Sequence, residues 1–342
     1  MKTKPLNEYS QQPVEDPMSV ADIPEASTSG EPLSKAKSAL TSERIREIGE
    51  RGQKTARDRK RQNLLSDKQL TLWADAVRGA PNEIVRSALF TAKNRKQPRE
   101  NLKRAVVAVI GEGQITYTGE ELRQDDETVW LQLIHLAREN GLATPFQFTP
   151  YSFCLALNWS LTGQSYDRLD KCMTRLQATS LKIVSTRLGN EISLSMLPGF
   201  QAKRRKDGDG GLWTVRMHDE LVFLFSEFQY TRVEWQRRLA LPVGLATWLH
   251  AYYASHREPF PVKVETLAVG AGLMVEPPED AQLDDAARTA KHKERLRAVN
   301  KLIVKALKAL QESGFLTDFE VTRKGLVIVR RGSDGDERAP IY

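Results

Sequence analysis

The spacing of apolar residues changes several times along the chain, and each change predicts a helix or a strand. Ordered structure is expected from about Pro81 onward. Ala105–Ile110 and Gln114–Thr118 are rich in β-branched residues and flank the turn Gly111–Gly113, which predicts a β-hairpin. Beyond this hairpin the two-residue period of strands gives way to the longer period of helices.

Three helices and a second hairpin are predicted next. Thr149 followed by Pro150 is typical of a helix start, because threonine caps the helix and proline suits its first turn. The predicted helices begin at Asp125 or Asp126, at Pro150 and at Ser165, the last running to Thr179, and the predicted strands are Leu181–Thr186 and Glu191–Leu197. Two more strands are expected after the basic loop Lys203–Gly211.

The second half of the chain repeats this order of elements without repeating the sequence. The predicted elements are the helices Leu245–His256, Val264–Ala271 and Ala286–Ser313 and the strands Phe315–Thr322 and Leu326–Arg331. An acidic stretch, Glu276–Asp285, is expected to be a loop before the last helix. Helices followed by a hairpin are the order of a winged helix-turn-helix.

The predicted fold class is therefore α+β, with two tandem winged-helix domains and a disordered N-terminal tail. The predicted division is 1–65 for a disordered, basic tail, 66–236 for the first winged-helix domain with extra β-hairpins, 237–332 for the second, and 333–342 for a C-terminal tail. The first 42 residues or so contain few bulky apolar groups, so they cannot offset the entropy of ordering. Residues 43–62 are dense in Arg and Lys, which predicts a short solvated helix or a basic arm.

Net charge, cysteine content and the length of apolar runs limit the classes of protein to which the chain can belong. The chain has 51 Lys+Arg against 44 Asp+Glu, a net charge of +7, which modestly favours a polyanionic partner. Its two cysteines, Cys154 and Cys172, lie in apolar stretches without metal-ligand spacing and are expected to be buried thiols in a reducing compartment. No apolar run approaches the ~20 residues of a membrane span, so no membrane partner and a cytoplasmic location are expected.

Catalytic motifs are not evident in the sequence. The five histidines form no HxH or HExxH pair, and no GxxxxGK[ST] string is present. Asp207-Gly-Asp209 resembles the start of a calcium loop, but His218 stands where the loop requires Glu. The sequence therefore predicts no enzyme activity, no catalytic residues, no metal and no cofactor.

Two predicted helices carry candidate DNA-binding residues. In the helix from Ser165, Arg168, Lys171 and Arg175 line up beside an apolar stripe, as a recognition helix in a major groove requires. An ordinary charged surface helix has the same pattern and stays open as the alternative.

The long second-half helix carries the stronger signal. Its apolar stripe is Leu296, Val299, Ile303, Leu307 and Leu310. Its candidate phosphate-binding residues are Lys291, Lys293, Arg295, Arg297 and Lys301, with Glu294 the single acid from Arg288 to Lys308. A membrane-surface helix is the alternative, but it would carry more aromatic residues. The loop residues Lys203, Arg204 and Arg205 are candidates for a backbone-contacting arm or a solvated loop.

Several long strings of the sequence resemble the TrfA-type plasmid replication initiators. They are Arg86–Lys96, Ile115–Asp126, Arg175–Thr179 and Ser255–Thr266, within a similarity that runs from about Gln69 to Arg331. The resemblance implies a replication initiator with two winged-helix domains that binds direct repeats (iterons) at a plasmid origin. It also implies a location on plasmid DNA, opening of an AT-rich segment, binding of the single strand, and recruitment of the host helicase and initiator. A homodimer is a further candidate form, and the balance between monomer and dimer is left open by the sequence.

One short motif, Gln69-Leu70-Thr71-Leu72-Trp73, resembles the peptide with which polymerases and some initiators bind the bacterial β sliding clamp. Gln69 would hydrogen-bond at the rim of the clamp pocket, and Leu70, Leu72 and Trp73 are apolar residues expected just outside the globular core. A helix start that packs on its own domain is the alternative. A winged-helix transcriptional repressor of a plasmid or phage is the alternative function, and a scaffold protein is a third class.

Overall fold

The computed structural model describes residues 44, 46, 47, 49–52, 73–139, 141, 142, 144–184, 191–203, 211–228, 230–274 and 283–332. The chain divides into two compact units, residues 1–54 and residues 55–342. In the first unit the described residues are helical, and Arg46 Nε lies 3.3 Å from Glu50 one turn later. The predicted tail before residue 44 and the tail 333–342 lie outside the described residues.

Eight helices are described in the second unit. They are α1 (Asn82–Val85), α2 (Gln124–Ala137), α3 (Pro150–Ala156), α4 (Gly163–Gln177), α5 (Trp235–Ala240), α6 (Leu245–Ala254), α7 (Val264–Gly270) and α8 (Asp285–Glu312). A 3₁₀ helix spans Asp219–Phe228.

Fourteen strands are described in the same unit. They are β1 (Val77–Pro81), β2 (Phe90–Thr91), β3 (Asn101–Val107), β4 (Gln114–Glu120), β5 (Leu122–Arg123), β6 (Phe146–Phe148), β7 (Ser180–Val184), β8 (Glu191–Leu194), β9 (Gly199–Lys203), β10 (Leu212–Arg216), β11 (Tyr230–Glu234), β12 (Val262–Lys263), β13 (Leu316–Val321) and β14 (Leu326–Arg331).

The strands form five small sheets. The largest has the order β3-β4-β7-β8 and is antiparallel throughout. Two three-stranded sheets have the orders β6-β10-β9 and β12-β14-β13, and the pairs β1-β11 and β2-β5 complete the set. The chain is therefore a mixed α+β protein, as the alternating periods predicted.

The predicted helices are present with small shifts at their ends. Asp126, at the third position of α2, accepts a hydrogen bond from the Arg123 backbone N–H at 2.9 Å, and Thr149 Oγ1 caps α3 by accepting from Ser152 N at 3.1 Å. The predicted β3-β4 hairpin is also present, with Gly111 and Gly113 at φ values of 114° and 111°. The buried thiols Cys154 and Cys172 are free, as expected.

The two strands expected after the basic loop are present as β10 and β11, which belong to different sheets. Two other expectations about the elements need correction. Ordered structure does not begin at Pro81, because the described part of the second unit starts at Trp73 and β1 begins at Val77. The acidic stretch is not wholly a loop, since Asp285 is the first residue of α8 and Asp284 caps it; residues 275–282 lie outside the described part.

The core consists of two clusters of buried apolar side chains. One lies almost entirely before residue 236 and includes Trp130, at 0% exposed, on α2. The other lies mainly between residues 241 and 329 and is built on α6, α7 and α8. We refer to the part of the chain that forms the first cluster as the first half, and to the part that forms the second cluster as the second half.

The two halves meet through buried hydrogen bonds. Trp248 Nε1 donates to the Ser87 carbonyl at 3.1 Å, and Ala92 N donates to the Ala271 carbonyl at 2.8 Å. Each of these bonds joins the segment around β2 to the helices α6 and α7.

Candidate nucleic-acid interface

Helix α8 is divided into a buried part and a solvent-facing part. Its 28 residues span about 42 Å at 1.5 Å per residue. The buried side chains all lie in the C-terminal half of the helix: Val299, Ile303, Ala306, Leu307 and Leu310. The predicted apolar stripe is therefore present, with Leu296 partly buried at its start. The N-terminal half of the helix, Asp285–Ala298, contains no buried side chain.

All five cations predicted on α8 lie in its N-terminal half, Asp285–Ala298, or in the helical turn that follows it. Lys291, Lys293, Arg297 and Lys301 are exposed, and Arg295 is half-buried. His292 Nε2 lies 3.0 Å from Glu265 on α7, which ties this part of the helix to its neighbour. Positive charge on a solvent-facing helix surface of this kind attracts phosphate groups.

A second basic feature lies at the turn between β13 and β14. Arg323 and Lys324 are exposed, and Gly325 adopts a φ of 73°, which a residue with a side chain rarely adopts. Their position at the tip of a hairpin leaves both side chains accessible to a partner.

Helix α4 differs from the expectation of a stripe of three free cations. Lys171 is exposed, as predicted. Arg175 instead donates from NH2 and Nε to Asp126 Oδ1 at 2.8 and 3.0 Å. Arg168 lies over the Trp159 ring at 3.9 Å, with Nε 3.6 Å from Asp125 Oδ2.

Arg175 is therefore paired with a buried carboxylate of α2, and its role in DNA binding stays a prediction. Asp126 has a fully buried side chain, and a carboxylate removed from water requires a counter-charge. Burial alone would lower the pKa of Arg175, but Asp126 raises it above the ordinary value. The helical wheel could not reveal this pair because its acidic partner lies on another helix.

Arg99 completes a cluster of charges at the start of α2. Its guanidinium donates to Asp126 Oδ2 at 2.7 Å and to Asp125 Oδ1 at 3.2 Å. Burial raises the pKa of Asp125, but the charges of Arg99, Arg168 and Arg175 overcome this effect and leave the pKa below its usual value. Asp125 and Asp126 therefore hold α4 and the loop before β3 against the same end of α2.

The loop before β3 holds basic residues that the sequence reasoning did not single out. Arg95 and Lys96 are exposed at the turn Asn94–Pro98. The signal available in the sequence was two adjacent cations between asparagine and a glutamine-proline pair, a typical turn composition.

Trp73 does not lie outside the core, which corrects the premise of the clamp-like motif. Its side chain is 5% exposed and packs against Phe225 and Tyr230, with ring centroids 5.8 and 5.6 Å away. Its Nε1 donates to His135 Nδ1 at 3.1 Å. A buried indole needs both an apolar pocket and an acceptor, and Trp73 has both. Gln69, Leu70 and Leu72 lie outside the described residues.

The remaining predicted site residues are only partly described. Lys203 is the last residue of β9, and only its backbone is described, while Arg204 and Arg205 lie outside the described residues. Across the described ranges, no group of three or more His, Cys, Asp or Glu side chains is arranged to hold a metal ion. Within those same ranges, no helix is both long and apolar enough to cross a membrane.

Taken with the fold, these surfaces define a mixed α+β protein with exposed cations on a helix, a hairpin tip and a loop. The chain belongs to the TrfA protein family, whose family model matches residues 34–305. The match begins well before Gln69, where the resemblance was expected to start, and ends within α8 rather than at Arg331.

Similarity to individual proteins is more restricted in extent. The chain is 39% identical over 202 residues to the plasmid replication initiator protein TrfA of Escherichia coli, a stretch that covers 58% of this chain and 52% of the relative. The chain thus spans about half the length of that curated relative.

Among solved structures, domains 2 and 3 of RctB match with a TM-score of 0.48 and 12% identity, over 74% of this chain and 98% of that one. The Pi initiator protein, solved in complex with iteron DNA, matches with a TM-score of 0.41 and 10% identity, over 66% of this chain and 100% of that one.

Proposed function

We propose that this chain is a plasmid replication initiator that binds direct repeats (iterons) in the origin, helps to open the duplex and recruits replication proteins of the host. The observation that carries the proposal is the first half of α8, a solvent-facing helix whose exposed residues include Lys291, Lys293 and Arg297. Membership of the TrfA family and the name of the E. coli relative support the same function.

We further propose that each half is a winged-helix domain. In the second half, α6, α7 and α8 precede the β13-β14 hairpin, and β12 pairs with β14. In the first half, α2, α3 and α4 precede the β7-β8 hairpin, although this hairpin joins β3 and β4 instead of β6. In such domains the last helix before the hairpin enters the major groove. This order assigns α4 and α8 as recognition helices and Arg323-Lys324 as the tip of a wing.

The two recognition helices differ in charge and are proposed to contribute differently. Six of the nine exposed charged residues of α8 are Lys or Arg, so they would neutralise phosphates and release counterions, which gives affinity for any duplex. On α4, Lys171 is flanked by the exposed acids Asp167 and Asp170. A helix with mixed charge gains little from phosphates, which favours a role in reading bases.

The steps of replication initiation that follow repeat binding are proposed on family membership alone. They comprise binding of the AT-rich single strand, contact with the host helicase and initiator, pairing of two copies, and binding of the β sliding clamp. Clamp binding through Gln69–Trp73 would require the Trp73 side chain to leave its pocket, because it is 5% exposed.

A replication assay tests the proposal against the repressor alternative. The gene is supplied in trans to an origin fragment that carries direct repeats and cannot replicate alone. Maintenance of the fragment is expected with the wild-type chain, and its loss is expected with Lys293→Gln and Arg297→Gln combined. Lys293→Arg with Arg297→Lys keeps both charges and is the matched control. A chain that binds the repeats but never sustains the fragment is a repressor, and the initiator proposal fails.

A further inference from the structure

The turn between β2 and β3 presents two adjacent cations on a fixed backbone. Gln97 N donates to the Asn94 carbonyl at 3.1 Å, and Lys96 N donates to Asn94 Oδ1 at 3.0 Å. These bonds close the turn and leave Arg95 and Lys96 exposed at its tip.

A buried guanidinium holds this turn from beneath. Arg123, whose side chain is 1% exposed, donates to the carbonyls of Asn94, Gln97 and Pro98 at 2.6, 2.9 and 2.8 Å. Its own charge is balanced by Glu121, at 2.7 Å. Three carbonyls on one buried side chain fix the direction in which the tip faces, so binding at the tip costs little ordering entropy.

The turn is also joined to helix α4. Arg99, directly after Pro98, contacts Asp126 Oδ2 at 2.7 Å, and Arg175 of α4 contacts Oδ1 of the same carboxylate at 2.8 Å. Arg95 also acts electrostatically on Arg168 of α4, whose pKa is lowered by burial, raised by Asp125 and lowered by the positive charge of Arg95. The turn and α4 therefore form one rigid surface.

The two cations at the tip of the turn differ from the neighbouring cation, Lys93, which is paired with acidic side chains. Lys93 is paired with Glu121 at 2.8 Å and with Glu100 at 2.9 Å. Within the described ranges, Arg95 and Lys96 have no acidic partner. Like charges held together on a rigid turn repel, and an anion bound between them removes that repulsion.

We propose that Arg95 and Lys96 bind backbone phosphates of duplex DNA beside the groove that α4 enters, which rests on the DNA-binding function proposed above. Duplex is favoured over single-stranded nucleic acid because Asn94–Pro98 contains no aromatic side chain on which a free base could stack. A turn that is joined to a recognition helix through Asp126 can contact phosphates at the edge of the groove that the helix enters.

The test is equilibrium binding of the full chain at several salt concentrations, using a repeat-bearing origin duplex and a random duplex of the same length. Arg95→Gln with Lys96→Gln should reduce the slope of log K against log salt by about 1.8, because each lost phosphate contact removes about 0.9. At about 0.1 M salt this corresponds to a loss of affinity on the order of 60-fold, equal on both duplexes. Arg95→Lys with Lys96→Arg preserves both charges and should behave like the wild type.

An unchanged slope and affinity in the folded Gln variant would overturn the inference. A loss on the origin duplex alone would also overturn it, since a phosphate contact does not discriminate between sequences. The same titration with a single-stranded oligonucleotide is run alongside, and a loss confined to that strand would overturn the inference, because the turn would then bind another nucleic acid. If the wild type binds both duplexes equally, the proposed initiator function fails, while the phosphate contact is still measured on the random duplex.

Discussion

Arg238 of α5 donates to Glu127 Oε2 of α2 at 3.1 Å, and the two side chains are 0% and 2% exposed. The same guanidinium lies 3.4 Å from the Thr247 carbonyl on α6, so it connects the first half to the second. A fully buried ion pair is tolerated only when its geometry and hydrogen bonds repay the loss of water. The link between the halves is therefore sensitive to the loss of one partner.

Glu127→Leu should lower the free energy of unfolding by about 3–5 kcal/mol, because Arg238 is left buried without its carboxylate. Urea unfolding followed by tryptophan fluorescence measures this change. Glu127→Leu with Arg238→Met removes both charges and should recover much of the lost stability. Losses that simply add in the double variant would contradict the coupling.

Trp73→Ala should destabilise the first half by about 3–5 kcal/mol, since it empties a pocket lined by Phe225 and Tyr230. Thermal and urea unfolding measure the effect. Trp73→Phe keeps an aromatic ring in the pocket but leaves the His135 acceptor without its donor, so it should cost about 1–3 kcal/mol. A Trp73→Ala protein of unchanged stability would restore the view of Trp73 as an accessible clamp-binding residue.

Arg175→Ala should reduce stability by about 3 kcal/mol, because Asp126 keeps only Arg99 as a close counter-charge. Lys171→Ala on the same helix should leave the free energy of unfolding within about 0.5 kcal/mol, since Lys171 is exposed. Both variants are compared by urea unfolding and then by binding to DNA. If Arg175→Ala is as stable as Lys171→Ala and loses only sequence discrimination, Arg175 reads a base after all.

His250 makes the stability of the second half depend on pH. Burial, together with the positive charges of Arg238, Arg237 and Arg331, lowers its pKa to about 3. The folded chain thus keeps this histidine neutral, while the unfolded chain protonates it below about pH 6.5. Its contribution to stability is complete above pH 6.5 and is lost as the pH falls towards 3.

His250→Leu should therefore reduce the dependence of unfolding free energy on pH by about 1.4 kcal/mol per pH unit between pH 4.5 and 6. Urea titrations at several pH values give this slope. His135, whose pKa burial and Arg78 also lower to about 3, is unaffected by the change and maintains part of the slope. An identical slope in wild type and variant would show that His250 accepts a proton in the folded chain.

The predictions from sequence succeeded where the information is local. The stripe from Val299 to Leu310 and the cap at Thr149 depend on neighbours within one helix, and both are present. The pairing of Arg175 with Asp126 and the pocket around Trp73 depend on residues 49 to 157 positions away or on other helices. A periodic pattern distinguishes a charged face from an apolar one, but it does not indicate which charges meet an opposite charge on another element.

The uneven burial of α8 has a consequence for its motions. A helical segment of about 14 residues is marginally stable in water when little tertiary packing supports it. Asp285–Ala298 has no buried side chain, whereas Val299–Leu310 contributes five to the core. Asp285–Ala298 should therefore open by local fraying while Val299–Leu310 stays folded. In amide hydrogen exchange, the protons of Asp285–Ala298 should exchange much faster than those of Val299–Leu310.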